Sequence, residues 1–348
     1  MTAAECNTGA IFFVDGPRGT GKTYLYRALL ASVRSQGRIA IATATSGIAA
    51  ALLPGERTTH SRFKIPLNLE VSFVCSITKQ SDLAELIRRA VVIIWDEATM
   101  TNRYAFEALN RTLIDIIGVD YPFGGKIMVF GGDFRQVLPL VPKDEMIKVP
   151  TSMAIPWNGE ESIVQLLEEI YPDIINHSFD AEYMVSTDII TPRNEDVDKL
   201  NEKIIQRFPG ESRVYHSFDK VENDTQNLYQ QEFLNSISPG GMPPHALHLK
   251  VGAPIMLLRN LNPSSGLCNG TRLLCRALNN NFIDSEILTR HFKGMRVFLH
   301  RIPLKAPENL KLPFEMARTQ FPVRLSFALT INKSQGQTIA HVGIYLPD

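Results

Sequence analysis

Apolar runs and amphipathic stretches alternate through the first part of the chain. Ile11-Phe12-Phe13-Val14 opens a strand over Ile11–Asp15, and apolar positions at helical spacing follow over Lys22–Ser35. Further strands are predicted over 38–43, 91–96 (VVIIWD) and 126–131 (KIMVFG). Strands separated by helices need crossover connections. The pattern therefore predicts an α/β fold whose parallel sheet is covered by helices on both faces. The signal changes after Pro142. Pro142, Pro150 and Pro156 punctuate a stretch of weak periodicity, read as a linker over 142–184 with a short helix at 163–171. A second α/β start lies at Thr187–Thr191, with a helix over 195–207. From 214 to 325 short β-like runs (LHLKVGAPIMLLRNL, LLCRALNN, MRVFLHRIPL) are broken by Gly, Pro and Asn, which predicts a small β-rich insertion of barrel type. Residues 326–347 return to α/β character. The plan is a first α/β domain at 1–141, a second built from 185–213 and 326–348, and the insertion between its halves.

A length of 348 residues accommodates two domains and a small third module. No apolar run approaches the ~18 residues that span a bilayer, so no membrane protein is expected. The first ten residues carry neither a secretory signal nor an Arg-rich presequence. A strand beginning so close to the start points to a fragment or a trimmed gene. Cys6, Cys75, Cys268 and Cys275 are far apart, which argues against a zinc or disulfide framework and fits a reducing compartment. The 36 basic residues balance 36 acidic ones. That balance weighs weakly against a nucleic-acid partner, although net charge does not report a local groove.

The sharpest chemistry is Gly16-Pro17-Arg18-Gly19-Thr20-Gly21-Lys22-Thr23, a G-x-x-x-x-G-K-[ST] loop between a strand and a helix. Gly16, Gly19 and Gly21 let successive backbone N–H groups turn inward toward phosphate oxygens, and the following helix adds its positive end. Lys22 reaches the β- and γ-phosphates of ATP, and the Thr23 hydroxyl binds Mg²⁺. The partner carboxylates are Asp96 and Glu97. They end an apolar strand at the sheet edge where α/β proteins bind ligands. Asp96 would hold the metal, and Glu97 would orient the attacking water as general base. A third segment, GGDFRQVLP (131–139), also follows a strand. Its Gln136 can reach a γ-phosphate, although a lone polar residue after a strand is by itself an ordinary loop residue.

GPRGTGKT, ATSGIAAALL, TTHSRFKIP, IIWDEATM and GGDFRQVLP occur in that order, followed by TPRNEDVDKLN, LKVGAPIMLLRNL, GLCNGTRL and FALTINKSQGQT. This series resembles the superfamily 1B DNA helicases of the petite-integration-frequency (PIF) type, including those carried by Helitron-like transposons, over most of the chain. The resemblance implies two RecA-like domains that close on ATP and step 5′-to-3′ along single-stranded and forked DNA, with an SH3-like insertion in the second. It assigns Lys22, Asp96, Glu97 and Gln136 to catalysis, and Gly16, Gly19, Gly21, Lys22, Thr23 and Gln335 to the nucleotide. Thr23 and Asp96 are assigned to Mg²⁺. Thr45, Ser46, Gly47, His60, Phe63, Thr330, Lys333 and Ser334 are assigned to DNA, with Gly336 completing the last motif. The residues alone leave alternatives open: Phe63 as a core ring, His60 as a structural histidine, Lys333 as a solvated surface lysine.

The resemblance also implies a chain truncated at both ends and shortened in the middle. Few residues precede the first strand where adenine recognition belongs, and the family's transition-state arginine has no match between Pro139 and Ile189. The last motif would lie beyond Asp348. An arginine finger contributes ~10³–10⁵ in rate, so a weak ATPase or a nucleic-acid-binding remnant is the alternative. A nucleotide kinase shares the loop but would need an Arg-bearing lid, which the second half does not offer. DNA repair, recombination and telomere maintenance, a monomeric state, and a nuclear or mitochondrial location are family expectations.

Overall fold

The computed structural model describes residues 9–17, 19–55, 57–66, 72–136, 151–222, 228–237, 241–288, 292–306, 312–334, 337 and 339–346. The chain forms two compact units, Met1–Glu145 and Met146–Asp348.

The first unit runs β1 (Ile11–Asp15), α1 (Lys22–Ser35), β2 (Ile39–Ala44), α2 (Gly47–Ala50), α3 (Thr59–Phe63), α4 (Asp82–Arg89), β3 (Ala90–Asp96), α5 (Arg103–Ile117) and β4 (Ile127–Gly132). Its sheet has the order β1-β4-β3-β2, and every pairing is parallel. Central β3 is apolar until its last residue because both of its faces are covered. Trp95, within β3, stacks on Phe106 of α5 at a centroid distance of 4.6 Å. One core cluster gathers Phe63, Ile87, Ile93, Trp95, Leu109 and Leu113, and another joins Tyr26 and Leu30 to Ala42 and Ile94. The two clusters lie on opposite faces of the sheet. The helices start where the sequence caps them. Ser81 accepts the Ala84 N–H before α4, and Asn102 accepts the Tyr104 N–H before α5. Strand β1 departs from the expected two-sided burial. It lies at the sheet edge, and Ile11, Phe12 and Phe13 are exposed.

The second unit begins with α6 (Glu160–Ile170), α7 (Ala181–Ser186), β5 (Thr187–Thr191) and α8 (Asn194–Arg207). It continues through β6 (Arg213–His216), β7 (Phe218–Val221), α9 (Gln231–Ser236), β8 (Ala246–Leu249), β9 (Pro254–Leu257), β10 (Arg272–Leu278), β11 (Phe282–Ile287) and β12 (Arg296–His300). It closes with β13 (Ile302–Lys305), β14 (Met316–Gln320), β15 (Val323–Leu325), β16 (Ala328–Thr330), α10 (Ile331–Ser334) and β17 (His341–Ile344). A small parallel sheet has the order β16-β5-β17, so the chain returns to the α/β layer after the β-rich part. The β-rich part holds the antiparallel sheets β12-β11-β10-β9-β15 and β13-β14-β7 and the pair β6-β8.

The linker reading of 142–184 needs correction from Glu160 onward. Ile163 and Leu167 of α6, Tyr171, and Met184 of α7 pack with Ile189, Leu200 and Phe327 in one core. The buried Tyr171 hydroxyl donates to the carbonyls of Thr187 (3.1 Å) and Phe327 (2.6 Å). These helices therefore cover the parallel sheet of the second unit. Pro142 and Pro150 lie outside the described residues.

A fully buried ion pair fastens the β-rich part to the α/β layer. Arg272 of β10 donates to Asp188 of β5 at 2.7 Å, and to the carbonyls of Met184 (2.7 Å) and Ser326 (3.1 Å). A second pair, Arg318–Asp219, lies inside the β-rich part at 2.8 and 2.6 Å, with Ser217 donating to the same carboxylate.

Candidate functional site

The loop after β1 has the shape its glycines permit. Gly19 and Gly21 have φ of 83° and 88°, which disfavour any side chain, and nothing lies within 4 Å of where a Cβ would stand. The result is an open hollow at the start of α1. Thr20 closes the turn by donating to the Pro17 carbonyl at 2.7 Å. The Gly16 N–H donates to the Gly132 carbonyl (3.3 Å), which ties the loop to the end of β4. Lys22 directs its ammonium at its own loop, donating to the carbonyls of Gly16 and Pro17. A phosphate entering the hollow would take over those donors.

Asp96 ends β3 beside this loop, and Glu97 follows it. Asp96 is 7% exposed. Burial pushes its carboxyl above the ordinary range, opposed by the Glu97 N–H, by Lys22 and by Tyr26. A cation is the natural partner for such a carboxylate, since ionisation there is otherwise costly. Among the described residues no cluster of three or more His, Cys, Asp or Glu could hold a metal by itself. Asp96, with the Thr23 hydroxyl, would hold a Mg²⁺ here, which would offset charge on bound phosphate oxygens.

Tyr26 is a residue the sequence reading missed. It stands one helical turn after Lys22, and that spacing was the available signal. Its ring is fully buried, and its hydroxyl is held in protonated form by burial and by the Asp96 charge. The fit requires glycine in β4, because a Cβ at Gly131 would fall 1.8 Å from the Tyr26 hydroxyl and 3.0 Å from Asp96 Oδ1. Gly131→Ala is therefore expected to destabilise the first unit by about 1–3 kcal/mol through overpacking. Urea unfolding should show partial recovery when Tyr26→Phe is added. An unchanged midpoint for Gly131→Ala alone would refute the packing account.

Glu97 has φ 54° and ψ 34°, a left-handed conformation that is strained for a residue with a side chain. The surroundings hold it there. Its N–H donates to Asp96 Oδ1 (2.9 Å), and Thr45 Oγ1 donates to its carbonyl (2.8 Å). The Ser46 hydroxyl donates to its carboxylate. Thr45 Oγ1 also accepts from Trp95 Nε1 (3.0 Å) and lies 2.8 Å from Thr101 Oγ1.

This changes the roles expected of the first strand-contact motif. Thr45 was assigned to DNA, but its hydroxyl is committed to the Glu97–Trp95–Thr101 network. Ser46 accepts the Ala49 N–H as the cap of α2 (3.2 Å) while bonding to Glu97. Both hydroxyls position the candidate base, and Gly47 simply opens the short α2. Phe63 is a plain correction. It is 0% exposed within the core, so its ring has no face for a base. His60 is half-buried, and burial lowers its pKa below the usual histidine range, so it is neutral near pH 7 and offers a phosphate no charge.

Gln136 follows β4 in a short helical turn, and its Nε2 donates to buried Asp133 at 3.1 Å. The segment 137–139 lies outside the described residues. In the second unit Thr330 ends β16. The Ser334 hydroxyl donates to the Ile331 carbonyl (2.8 Å), and Lys333 donates to Asn269 Oδ1 (2.9 Å). Gln335 and Gly336 lie outside the described residues.

A glycine-lined phosphate loop and an acidic strand end on a parallel sheet define the first unit as a P-loop fold of the RecA class. The family described as PIF1-like helicase matches residues 1–169, and the Pif1 2B domain matches residues 232–278, within the β-rich part. The chain is similar to the PIF1-like helicase family over these spans. It is 25% identical to the ATP-dependent DNA helicase PIF1 of Xenopus laevis over 97% of this chain and 55% of that protein. It is equally similar to the human PIF1 helicase, over 97% of this chain and 54% of that one. The chain thus spans about half the length of the curated relatives it matches. Among solved structures, Bacteroides Pif1 in complex with ADP-AlF3 and ssDNA aligns with a TM-score of 0.60 and 23% identity, covering 97% of this chain and 82% of that one. Candida albicans Pif1 aligns with a TM-score of 0.56 and 20% identity, covering 99% of this chain and 88% of that one. The fold is the mixed α/β fold of Pif1 helicases, with RecA-like parallel sheets.

Proposed function

We propose that this chain is an ATP-dependent DNA helicase that couples ATP hydrolysis to movement along single-stranded DNA. The observation that carries the reading is the convergence, at one end of one parallel sheet, of the open phosphate loop, buried Asp96 and the left-handed Glu97 that Thr45 and Ser46 hold. The names of the relatives support it: PIF1 of Xenopus laevis is an ATP-dependent DNA helicase, and Bacteroides Pif1 has been solved with ssDNA.

The residues divide the work. Loop amides and Lys22 bind the phosphates and offset their charge. Mg²⁺, held by Thr23 and Asp96, would neutralise charge on the phosphate oxygens. Glu97 orients a water and takes its proton as the water oxygen bonds to the γ-phosphorus, while the bond from that phosphorus to the β–γ bridging oxygen breaks and ADP leaves with the electron pair. Release of Ser46 from the Glu97 carboxylate would free that carboxylate for the water. Ser46 belongs to the motif that the family resemblance places against DNA, so strand binding and hydrolysis share one hydrogen bond. The 5′-to-3′ polarity, unwinding of forks, roles in repair, recombination and telomere maintenance, a monomeric state and a nuclear location are finer terms of the same proposal, resting on family resemblance alone.

The test is ATP hydrolysis by the purified chain with and without an oligonucleotide, beside Lys22→Ala. Turnover that rises with the oligonucleotide and falls to background in the variant is expected. Measurable ATP binding without hydrolysis in either condition would overturn the motor reading in favour of a nucleic-acid-binding remnant.

A further inference from the structure

Tyr26 carries a hydroxyl that the proposed hydrolysis does not use. The residue is 0% exposed, yet this hydroxyl makes no hydrogen bond of standard geometry. Phenylalanine would fill the same space without stranding a donor, so packing alone gives no reason for the oxygen. A buried donor of this kind points to an acceptor that it engages in another state of the site.

Geometry narrows that acceptor to Asp96. Tyr26 follows Thr23 by three residues and Lys22 by four, so all three leave one face of α1. That face packs on the sheet, where Tyr26 meets Ile94 of β3 and Val129 of β4. The two strands pair with Trp95 opposite Phe130, which sets Gly131 beside Asp96. A Cβ at Gly131 would lie 1.8 Å from the Tyr26 hydroxyl and 3.0 Å from Asp96 Oδ1, so both oxygens border the space which that glycine leaves open. Asp96 Oδ1 accepts the Glu97 N–H at 2.9 Å. The last torsion of an aspartate side chain is soft, and one donor leaves it so. A second donor, arriving from α1 rather than from the end of β3, fixes the plane of the carboxylate.

We propose that Tyr26 is a positioning residue for the metal. In the nucleotide-loaded site its hydroxyl donates to the Asp96 carboxylate and holds it toward the Mg²⁺ that Asp96 and Thr23 would bind. The inference rests on the nucleotide-binding part of the reading above and adds a donor that lies outside both the phosphate loop and the acidic strand end. Tyr26 acts through Asp96 and touches neither the nucleotide nor the attacking water. Hydrogen-bond partners of metal ligands contribute about 10–100-fold to metal affinity.

Tyr26→Phe removes the oxygen and keeps the ring. Mn²⁺ serves as the probe, because its paramagnetic resonance signal separates free from bound ion. Titrated into the chain with ADP, Mn²⁺ is expected to bind Tyr26→Phe about 10-fold more weakly than the parent. Affinity for a fluorescent ADP in EDTA should stay parental, since the loop amides and Lys22 are intact. The urea midpoint should be equal or higher, since no donor is left stranded. With Asp96→Ala already in place, adding Tyr26→Phe should weaken Mn²⁺ binding no further. Parental Mn²⁺ affinity in Tyr26→Phe would overturn the proposal and leave Tyr26 as a packing residue. Equal losses of ADP affinity with and without Mn²⁺ would also overturn it, because the hydroxyl would then serve the shape of the loop. So would a further loss on top of Asp96→Ala. A parent chain whose ADP affinity is the same with Mn²⁺ as in EDTA would overturn the metal assignment and this proposal together. Intact Mn²⁺ binding without ATP hydrolysis would overturn the motor reading alone, and the Tyr26→Phe comparison would still decide the role of the hydroxyl.

Discussion

Glu97→Gln is expected to lower ATP turnover by about 10²–10⁴-fold while leaving nucleotide affinity within a few-fold of the parent. Glutamine keeps the shape and can still accept from Ser46, but it cannot take a proton from the attacking water. The phosphate loop and Asp96, the residues proposed to bind the nucleotide, are untouched. Steady-state hydrolysis with saturating oligonucleotide, beside a fluorescent-nucleotide titration, separates the two effects. Loss of affinity in step with turnover would place Glu97 in binding and remove it as the base. The left-handed backbone at Glu97 does not enter the comparison, because glutamine meets the same constraint. Ser46→Ala complements this test, since it frees the carboxylate without altering it. A turnover that depends less on the oligonucleotide is expected there.

Arg272→Ala is expected to destabilise the second unit by about 3–5 kcal/mol, because it strands a buried carboxylate. Asp188 and Arg272 are both fully buried; Arg272 bonds Asp188 Oδ2, and Asp188 Oδ1 has no hydrogen-bond partner. Burial pushes the Asp188 carboxyl up to about 7, with Arg272 pulling the other way. Removing Arg272 removes that pull, so the carboxyl rises further and binds its proton more tightly in the folded unit than in the unfolded chain. A group raised in this way contributes stability that is complete below the ordinary carboxylate value of about 3.9 and is lost as pH climbs through the folded value. The deficit of Arg272→Ala relative to the parent should therefore be smaller near about pH 5.5 than near about pH 8. Thermal unfolding at the two pH values measures it. A deficit that shrinks as pH rises would refute the account. The guanidinium also holds the carbonyls of Met184 and Ser326, so the variant should loosen the join between β10 and the α/β layer.

The two predictions address residues of different legibility. Glu97 could be read from the chain, because an apolar run ending in two acids after a phosphate loop permits few other readings. Arg272 could not. It stands in GLCNGTRL as one basic residue among many, and only the return of the chain from β10 to the face of β5 gives it a buried partner.

The sequence by itself determined the α/β alternation, the bounds of β1, α1 and β5, the phosphate loop and the acidic strand end, because these depend on local periodicity and on contiguous residues. It also placed the β-rich region between the two halves of the second α/β layer, since turn residues and short alternating runs are local signals. Tertiary structure decided what depends on the far side of each residue. Phe63 became core and α6 became the cover of a sheet, because burial is set by neighbours distant in sequence. The Thr45 and Ser46 hydroxyls turned to Glu97 because parallel β2 and β3 end side by side, with Ala44 opposite Asp96. Tyr26 reached Asp96 across a glycine that leaves it room.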